Sequence, residues 1–591
     1  MNDIILDIET DGLLDTVTKV HCLVYKLNDQ ITVATTDQEI KNAFEVLKTG
    51  QVIGHNILGF DLEVLKRLYG FELPLIQVTD TLILSRLLHA DLRTEDSQVK
   101  RLEPKFWGSH SLKAWGFRLE KDKGTYLEEN GYSELSQEMI DYCIGDVELT
   151  DILYKNFSWR LPSEDSIWLE HQIANICNRQ EYHGIKFNEE KAVELYAELA
   201  KKRDQLEEEL KEVFGSWIIN EGTRRNELYS KVKIIDFNPN SRRHIAKRLK
   251  ELRGWEPKEF TPTGEAKVDE AILDKLDYPE AQKMAEYLML NKRIGQLAEG
   301  DQAWLKLVKK GRLHGRVNTM GASTSRCSHA SPNLAQVPNS NAPFGEACRA
   351  LFTPDRGEKL LGVDVSGLEL RCLSHYLSLY DGGEYGKKLL EEDIHSVNQE
   401  AAGLSTRDQA KTFIYGFLYG AGDQKIGEIV GKGSKEGKKL KKKFLTELPA
   451  LKQLRKKVQT KAVERGTLKG LDGRSVPVRS KHAALNTLLQ SAGAIICKRW
   501  VVETHRLLEE NGFKCGQDYS QVAFVHDELQ FTVKEKHASR IGEICTEAIV
   551  ITGNRYDLRI PLTGEYKVGS GPYTSSAMTG YTLHTYTAPK G

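Results

Sequence analysis

The first apolar run, Ile4, Ile5, Leu6 and Ile8, gives way to acids and a turn at 9–12, the pattern of a buried strand that ends in carboxylates. Residues two apart on a strand share a face, so Asp7 and Glu9 are expected to point into one cleft, where two carboxylates suit a divalent metal. The stretch 54–61 reads as a second strand-to-helix junction that delivers Asp61. On the helix expected at 141–148, Tyr142 and Asp146 lie four apart on one side. From about 158 to about 310 the pattern changes to long, charged helical periodicity, clearest at 191–214 and 280–307. Within it, Asn238-Pro239-Asn240-Ser241 ahead of a basic stretch to Arg253 predicts a capped helix, either a solvated face of a bundle or a surface that grips a phosphate backbone.

The second half repeats the motif of strands that end in acids. The run 360–371 reads as a buried strand carrying Asp364 to its end, with Ser366 expected to cap the next helix. Far along the chain, 522–533 reads as two strands meeting at His526-Asp527-Glu528, where acids inside a hydrophobic hairpin call for something positive nearby. Between them, 405–420 predicts a helix with Ser405 as its cap and Gly420 as its stop, and Arg407, Lys411, Tyr415 and Tyr419 fall four apart along one face. Two cations there suit a polyanion, and two rings suit a base or a sugar. The polar loop 324–339 offers Arg326, Asn333, Gln336 and Asn339 as donors to the minor-groove acceptors that every base pair presents. The lysine-rich stretch 432–443 reads as a solvated helix face before it reads as a DNA clamp.

With 591 residues, 40% hydrophobic and 28% charged, the chain is expected to fold as several domains with little disorder. Its net charge of -1 carries no global signature of nucleic-acid binding, so any such site is a local cationic patch offset by clustered acids. Nine scattered cysteines without a CxxC pair point away from a zinc ribbon or a disulfide framework and toward a reducing cytosol. The absence of a basic, apolar leader and of a long apolar run predicts a soluble cytoplasmic protein.

The set Asp7, Glu9, Asp61, Tyr142 and Asp146 resembles the tyrosine-bearing branch of the DEDD exonuclease superfamily. The stretches 364–371, 407–420 and 526–528 resemble motifs A, B and C of family A, or Pol I-like, DNA polymerases. The runs 393–395, 412–422 and 482–493 are similar to the short-tailed, T-seven-type phage branch of that family. The resemblance covers nearly the whole chain. It implies an α/β multidomain fold: an RNase H-like 3′-5′ exonuclease domain at 1–157, then a right-hand polymerase with a mostly helical thumb at 158–310 and mostly helical fingers at 377–485. The palm, an antiparallel sheet, is implied at 311–376 and again at 486–591, the latter with a C-terminal tail.

What the resemblance implies for chemistry is two Mg²⁺ ions at each site, with Mn²⁺ as the alternative metal. Asp7, Glu9, Asp61 and Asp146 hold one pair while Tyr142 orients the attacking water. Asp364 and Asp527, with the Val365 carbonyl, hold the other pair beside Glu528, and one ion activates the primer 3′-hydroxyl. His395, Arg407 and Lys411 neutralise the leaving pyrophosphate. Tyr415 and Glu369 crowd the sugar 2′-position, with Tyr rather than Phe at 415 implying tolerance of dideoxynucleotides, and Tyr419 stacks near the templating base. Arg326, Asn333, Gln336, His482, Asn486, Gln490 and His526 contact primer-template DNA.

The implied partners are primer-template DNA, deoxynucleoside triphosphates, a phage helicase-primase and a single-stranded DNA-binding protein, within a bacterial host's cytoplasm. Only 218–236 stands where thioredoxin-borrowing relatives carry a long thumb insertion, which argues against thioredoxin as a partner. The Thr-, Tyr- and Gly-rich tail past 573 also departs from the branch. Two other readings are a polymerase-fold enzyme using RNA as template or product, and a DNA-binding scaffold with decayed sites. Glu369 and Tyr415 speak against the first, and the full set of carboxylates against the second.

Overall fold

The computed structural model describes residues 2–98, 102–121, 134–220, 232–261, 263–569 and 582–585, so most of the tail lies outside the described residues. Two five-stranded sheets carry the two acid clusters. The first comprises β1 (Asp3–Thr10), β2 (Val20–Leu27), β3 (Gln30–Ala34), β4 (Gln51–Gly54) and β5 (Val78–Asp80), in the order β3-β2-β1-β4-β5. β1, β2 and β3 pair antiparallel, while β4 joins β1 and β5 joins β4 in parallel. Alternation along β1 sends Ile4, Leu6 and Ile8 into one core and Ile5 into another, on opposite faces. Helix α1 (Asp61–Tyr69) follows β4, and α2 (Gln137–Ser158) covers the Ile5 face, its Cys143 and Val147 packing with Cys22, Val24 and Ile53.

Helix α3 (Glu164–His183) leads into a helical region of α4 (Glu189–Phe214), α5 (Arg242–Arg253) and α6 (Pro279–Ile294), packed around Leu210, Phe214, Ile245, Leu249, Met284 and Tyr287. Ser241 caps α5 as its sequence predicts, its hydroxyl accepting the His244 N–H. The basic residues of α5 are largely matched by the protein's own acids: Arg243 pairs with Glu265, Arg248 with Glu251 and Arg253 with Glu280. That pairing fits a bundle face.

The second sheet comprises β6 (Glu358–Val365), β7 (Tyr519–Val525), β8 (Glu528–Lys534), β9 (Gly564–Gly569) and β10 (Thr582–Thr585), all antiparallel in the order β7-β8-β6-β9-β10. Around it lie α7 (Leu368–Asp381), α8 (Ile394–Ala402), α9 (Arg407–Leu418), α10 (Ser434–Glu447), α11 (Pro449–Arg465), α12 (Ala484–Glu510) and α13 (Ala538–Arg555). One large core joins β6 and β8 to α7, α9, α12 and α13, and takes in Leu169, Ile173, Ile176 and Cys177 of α3. α12 is buried along most of its length, with the charged Lys498, Arg499 and Glu503 buried among its apolar residues. No described helix is long and apolar enough to cross a membrane.

Two expected caps are corrected. Ser405 does not cap α9; Thr406 does, accepting the Gln409 N–H, while the Ser405 N–H donates to the Gln409 side chain. Ser366 does not cap α7 either. Its N–H is taken by the Thr563 carbonyl, and the sharp exit from β6 is made by Gly367 at φ 59, a backbone state that glycine adopts without strain.

Candidate active sites

At the end of β6, the strand register sets Glu528 of β8 and Glu565 of β9 directly beside Asp364. β7 and β8 are joined by only His526 and Asp527, and His526 takes φ 57. Tight hairpins usually place Asn or Gly in that state, and histidine is among the few other residues that enter it. The Asp527 carbonyl accepts the Val365 N–H at 3.1 Å, tying this turn to the end of β6.

Asp364 opens to solvent on one side, but burial of its surroundings, then the charges of Asp527, Glu528 and Glu565, raise its pKa to about 8. Burial and the nearby Glu369 raise Asp527 to about 6. Burial likewise raises Glu528, partly offset by a hydrogen bond from the Gln530 amide. Oxygen donors crowded until they hold protons fit divalent cations of the Mg²⁺ type, which would relieve that repulsion.

Helix α9 carries Arg407 and Lys411 exposed and Tyr415 half-buried, with Tyr419 just past its last turn. The Arg407 guanidinium forks onto Asp393 at 2.6 and 3.0 Å and holds that carboxyl well below its usual range. The His395 ring lies 6.1 Å from Tyr415, and its buried Nδ1 has no partner among the described residues. Tyr415 and Tyr419 stack at 6.3 Å. The Tyr419 hydroxyl donates to Glu369 at 2.7 Å, and Arg326 approaches the same carboxylate at 3.5 Å.

Glu369 and Arg326 line a cleft together with Leu368, Gly493, Ala494, Lys498, Phe524, His526 and Asp527. Asn486 and Gln490 occupy one face of α12, one to two turns before Gly493 and Ala494, and the buried Asn486 Oδ1 has no partner among the described residues. His482 is exposed in the short turn ahead of α12. Asn333 accepts the Ala335 N–H and caps a short helix, whereas Gln336 is exposed, so neither joins the cleft lining. Glu565 and Lys498 were not foreseen. Neither stands in an acid run or an amphipathic stripe that a local pattern would reveal.

The other cluster forms where α2 crosses β1. Carboxylate oxygens of Asp7 and Glu9 and the Cys143 sulfur lie within 4.8 Å of one another, and the Cys143 thiol donates to Asp7 Oδ2 at 3.3 Å. Asp61, the first residue of α1, is buried and accepts the Ile8 N–H at 3.2 Å, which anchors it to β1 between Asp7 and Glu9. Burial, then the charges of Asp80 and Asp146, raise it to about 7. Asp146 is buried on α2, with Tyr142 half-buried one turn earlier. Asp7, Glu9, Asp61 and Asp146 are thus drawn to one place, and Tyr142 lies one turn before Asp146 on α2. Cys143 and Asp80 are additions that no spacing rule singled out.

Residues 193–573 match the family described as "DNA polymerase family A". The DNA-directed DNA polymerase of Escherichia phage T7 is 39% identical over 699 aligned positions, covering 96% of this chain and 99% of the relative. That of Enterobacteria phage T3 is 38% identical over 700, with the same coverage. Thermostable DNA polymerase I of Thermus thermophilus is 26% identical over 72% of this chain and 50% of its own length. Among solved structures, one described as the POL domain of Pol1 from M. smegmatis in complex with DNA primer-template and dNTP has the same fold. It aligns at TM-score 0.73 and 19% identity over 96% of this chain and 95% of that one. With the resemblance read from its motifs matched by the family and its phage members, the chain belongs to DNA polymerase family A.

Proposed function

We propose that this protein is a phage-type, template-directed DNA polymerase that extends a primer 3′-end and removes mispaired ends at a second, 3′-5′ exonuclease site. The observation that carries the reading is the gathering of Asp364, Asp527 and Glu528 at one end of the second sheet, with Tyr419 hydrogen-bonded to Glu369, which lines the same cleft as Asp527. Asp364, Asp527 and the Val365 carbonyl would hold divalent ions, Mg²⁺ or Mn²⁺, which would supply Lewis-acid activation of the 3′-hydroxyl and charge neutralisation on the triphosphate. Glu528 adds negative charge beside them. Arg407 exchanges Asp393 for triphosphate oxygens, and Lys411 and His395 add donors where charge accumulates on the leaving pyrophosphate.

Glu369 and Tyr415 wall the sugar position and reject a 2′-hydroxyl. Tyr419 leaves Glu369 and stacks near the template base once DNA enters. Arg326 and His526 at the cleft wall and Asn486 and Gln490 on α12 donate to primer-template in the minor groove, with Asn333, Gln336 and His482 further out along the duplex.

At the second site, Asp7, Glu9, Asp61 and Asp146 would hold a pair of the same ions, which would supply Lewis-acid activation of water, while Tyr142 orients the attacking water. The domain division 1–157, 158–310, 311–376, 377–485 and 486–591 follows the same assignment. Helicase-primase and single-stranded DNA-binding protein are the proposed partners, in a host cytoplasm, without thioredoxin.

The test is extension of a labelled DNA primer on a DNA template with single deoxynucleotides, then with ribonucleotides. Only the template-complementary deoxynucleotide is expected to be added, and Asp364→Asn to add none. Glu369→Ala is expected to raise ribonucleotide use about 10- to 100-fold. Template-independent addition, or equal use of ribonucleotides by the wild type, contradicts the proposal.

A further inference from the structure

Helix α3 works on two faces. Ile167, His171, Ala174 and Asn178 recur at spacings of four, three and four, a single stripe, and Ile167 and Ala174 pack on the core of the first sheet. Leu169, Ile173, Ile176 and Cys177 enter the core of the second sheet instead, and Glu170 pairs there with Arg474 and Lys498.

The two polar members of the first stripe hold one loop. His171 Nε2 accepts the Asp80 N–H at 2.8 Å, and its Nδ1, 2.8 Å from the Ile167 carbonyl, carries the ring proton that fixes this tautomer. The Asp80 carboxylate accepts the N–H groups of Asn56 at 2.9 Å and Leu58 at 3.3 Å, and caps the next helix through the Leu82 N–H. Asn178 Nδ2 donates to the Leu58 carbonyl at 2.9 Å. The residues so gripped, 56–58, lead within one short turn to Asp61, and His171 and Asp80 are almost wholly buried.

We propose that His171 and Asn178 are positioning residues for 3′-end cleavage, holding the 55–60 loop through Asp80 and Leu58 so that Asp61 faces Asp7 and Glu9. The exonuclease site is thus completed by a helix whose other face belongs to the polymerase core. This rests on the exonuclease reading given above.

The experiment compares full-length wild type, His171→Leu, His171→Gln and Asn178→Ala for shortening and extension of a labelled primer across a Mg²⁺ titration. It also follows amide hydrogen exchange at 54–61 and along β6. His171→Leu is expected to slow shortening about 10- to 100-fold and to raise the half-saturating Mg²⁺ for shortening alone. The KM for DNA and the extension rate stay at wild-type values. His171→Gln, whose side-chain carbonyl can still accept the Asp80 N–H, recovers much of the loss. Amides at 56–58 exchange faster in His171→Leu and Asn178→Ala, while those of β6 do not change.

Unaltered shortening and exchange in both variants, or equal loss of shortening and extension, overturns the proposal. Wild type lacking any shortening that Asp7→Ala abolishes would instead defeat the exonuclease reading, and the exchange data at 56–58 would still decide whether α3 holds the loop.

Discussion

At Asp364 four carboxylates meet at one end of a sheet, and burial, reinforced by their mutual repulsion, lets Asp364 keep its proton up to about pH 8. In the unfolded chain this group loses its proton near pH 4. Between those values the folded state binds more protons than the unfolded one, so the Asp364 contribution to stability is lost as pH rises through the window. Asparagine imitates the protonated form. In metal-free buffer, the Tm of Asp364→Asn minus that of the wild type is therefore expected to grow from about pH 4 to about pH 8 and then level off. Added Mg²⁺ should shrink the difference by relieving the wild type. A difference that is flat or falls with pH contradicts the electrostatic account. The main acids were legible in the sequence because strand alternation and short acid runs are local signals. Glu565 was not, because it joins Asp364 only through pairing between strands some 200 residues apart.

Among the elements, α9 was legible from its four-residue spacing, but its cap was not. Ser405 and Thr406 are both competent caps, and the choice falls to the hydroxyl that the incoming chain leaves beside the Gln409 N–H. The hairpin turn was readable as a turn, whereas the positive φ of His526 shows only in the structure, since nothing in a His-Asp pair announces it. A close crossing was equally hidden. Gly437 on α10 lies so near the chain at Asp423 that a Cβ would sit 1.8 Å from the Asp423 carbonyl oxygen and 2.7 Å from the Gly427 nitrogen. Backbone cannot yield as a side chain can, so Gly437→Ala is expected to lower stability by at least about 1–3 kcal/mol and to speed hydrogen exchange across 423–447. An unchanged unfolding midpoint would show that this crossing is looser than described.

For the whole molecule, the decisive device is α3, which joins two cores and carries Glu170 into a buried network with Arg474, Lys498 and Asp472. Its partners are 304 and 328 residues from Glu170, so no window of sequence reveals it, and the texture change near 158 spoke only of helix. Arg474→Met would strand Glu170 and Asp472 with too few donors and is expected to lower stability by about 3–5 kcal/mol, read by denaturant unfolding. A shift below the scatter of repeated unfolding curves would mean that the network is not a stabilising one.

The two-site account as a whole meets its most direct test in one tube: a labelled primer on a longer DNA template with Mg²⁺, incubated with or without deoxynucleotides. Wild type, Asp527→Ala and Asp7→Ala are compared. The account predicts that wild type lengthens the primer with nucleotides and shortens it without them, that Asp527→Ala only shortens, and that Asp7→Ala only lengthens. A protein that binds the duplex but leaves the primer unchanged, or a single substitution that abolishes both activities in a folded chain, contradicts it.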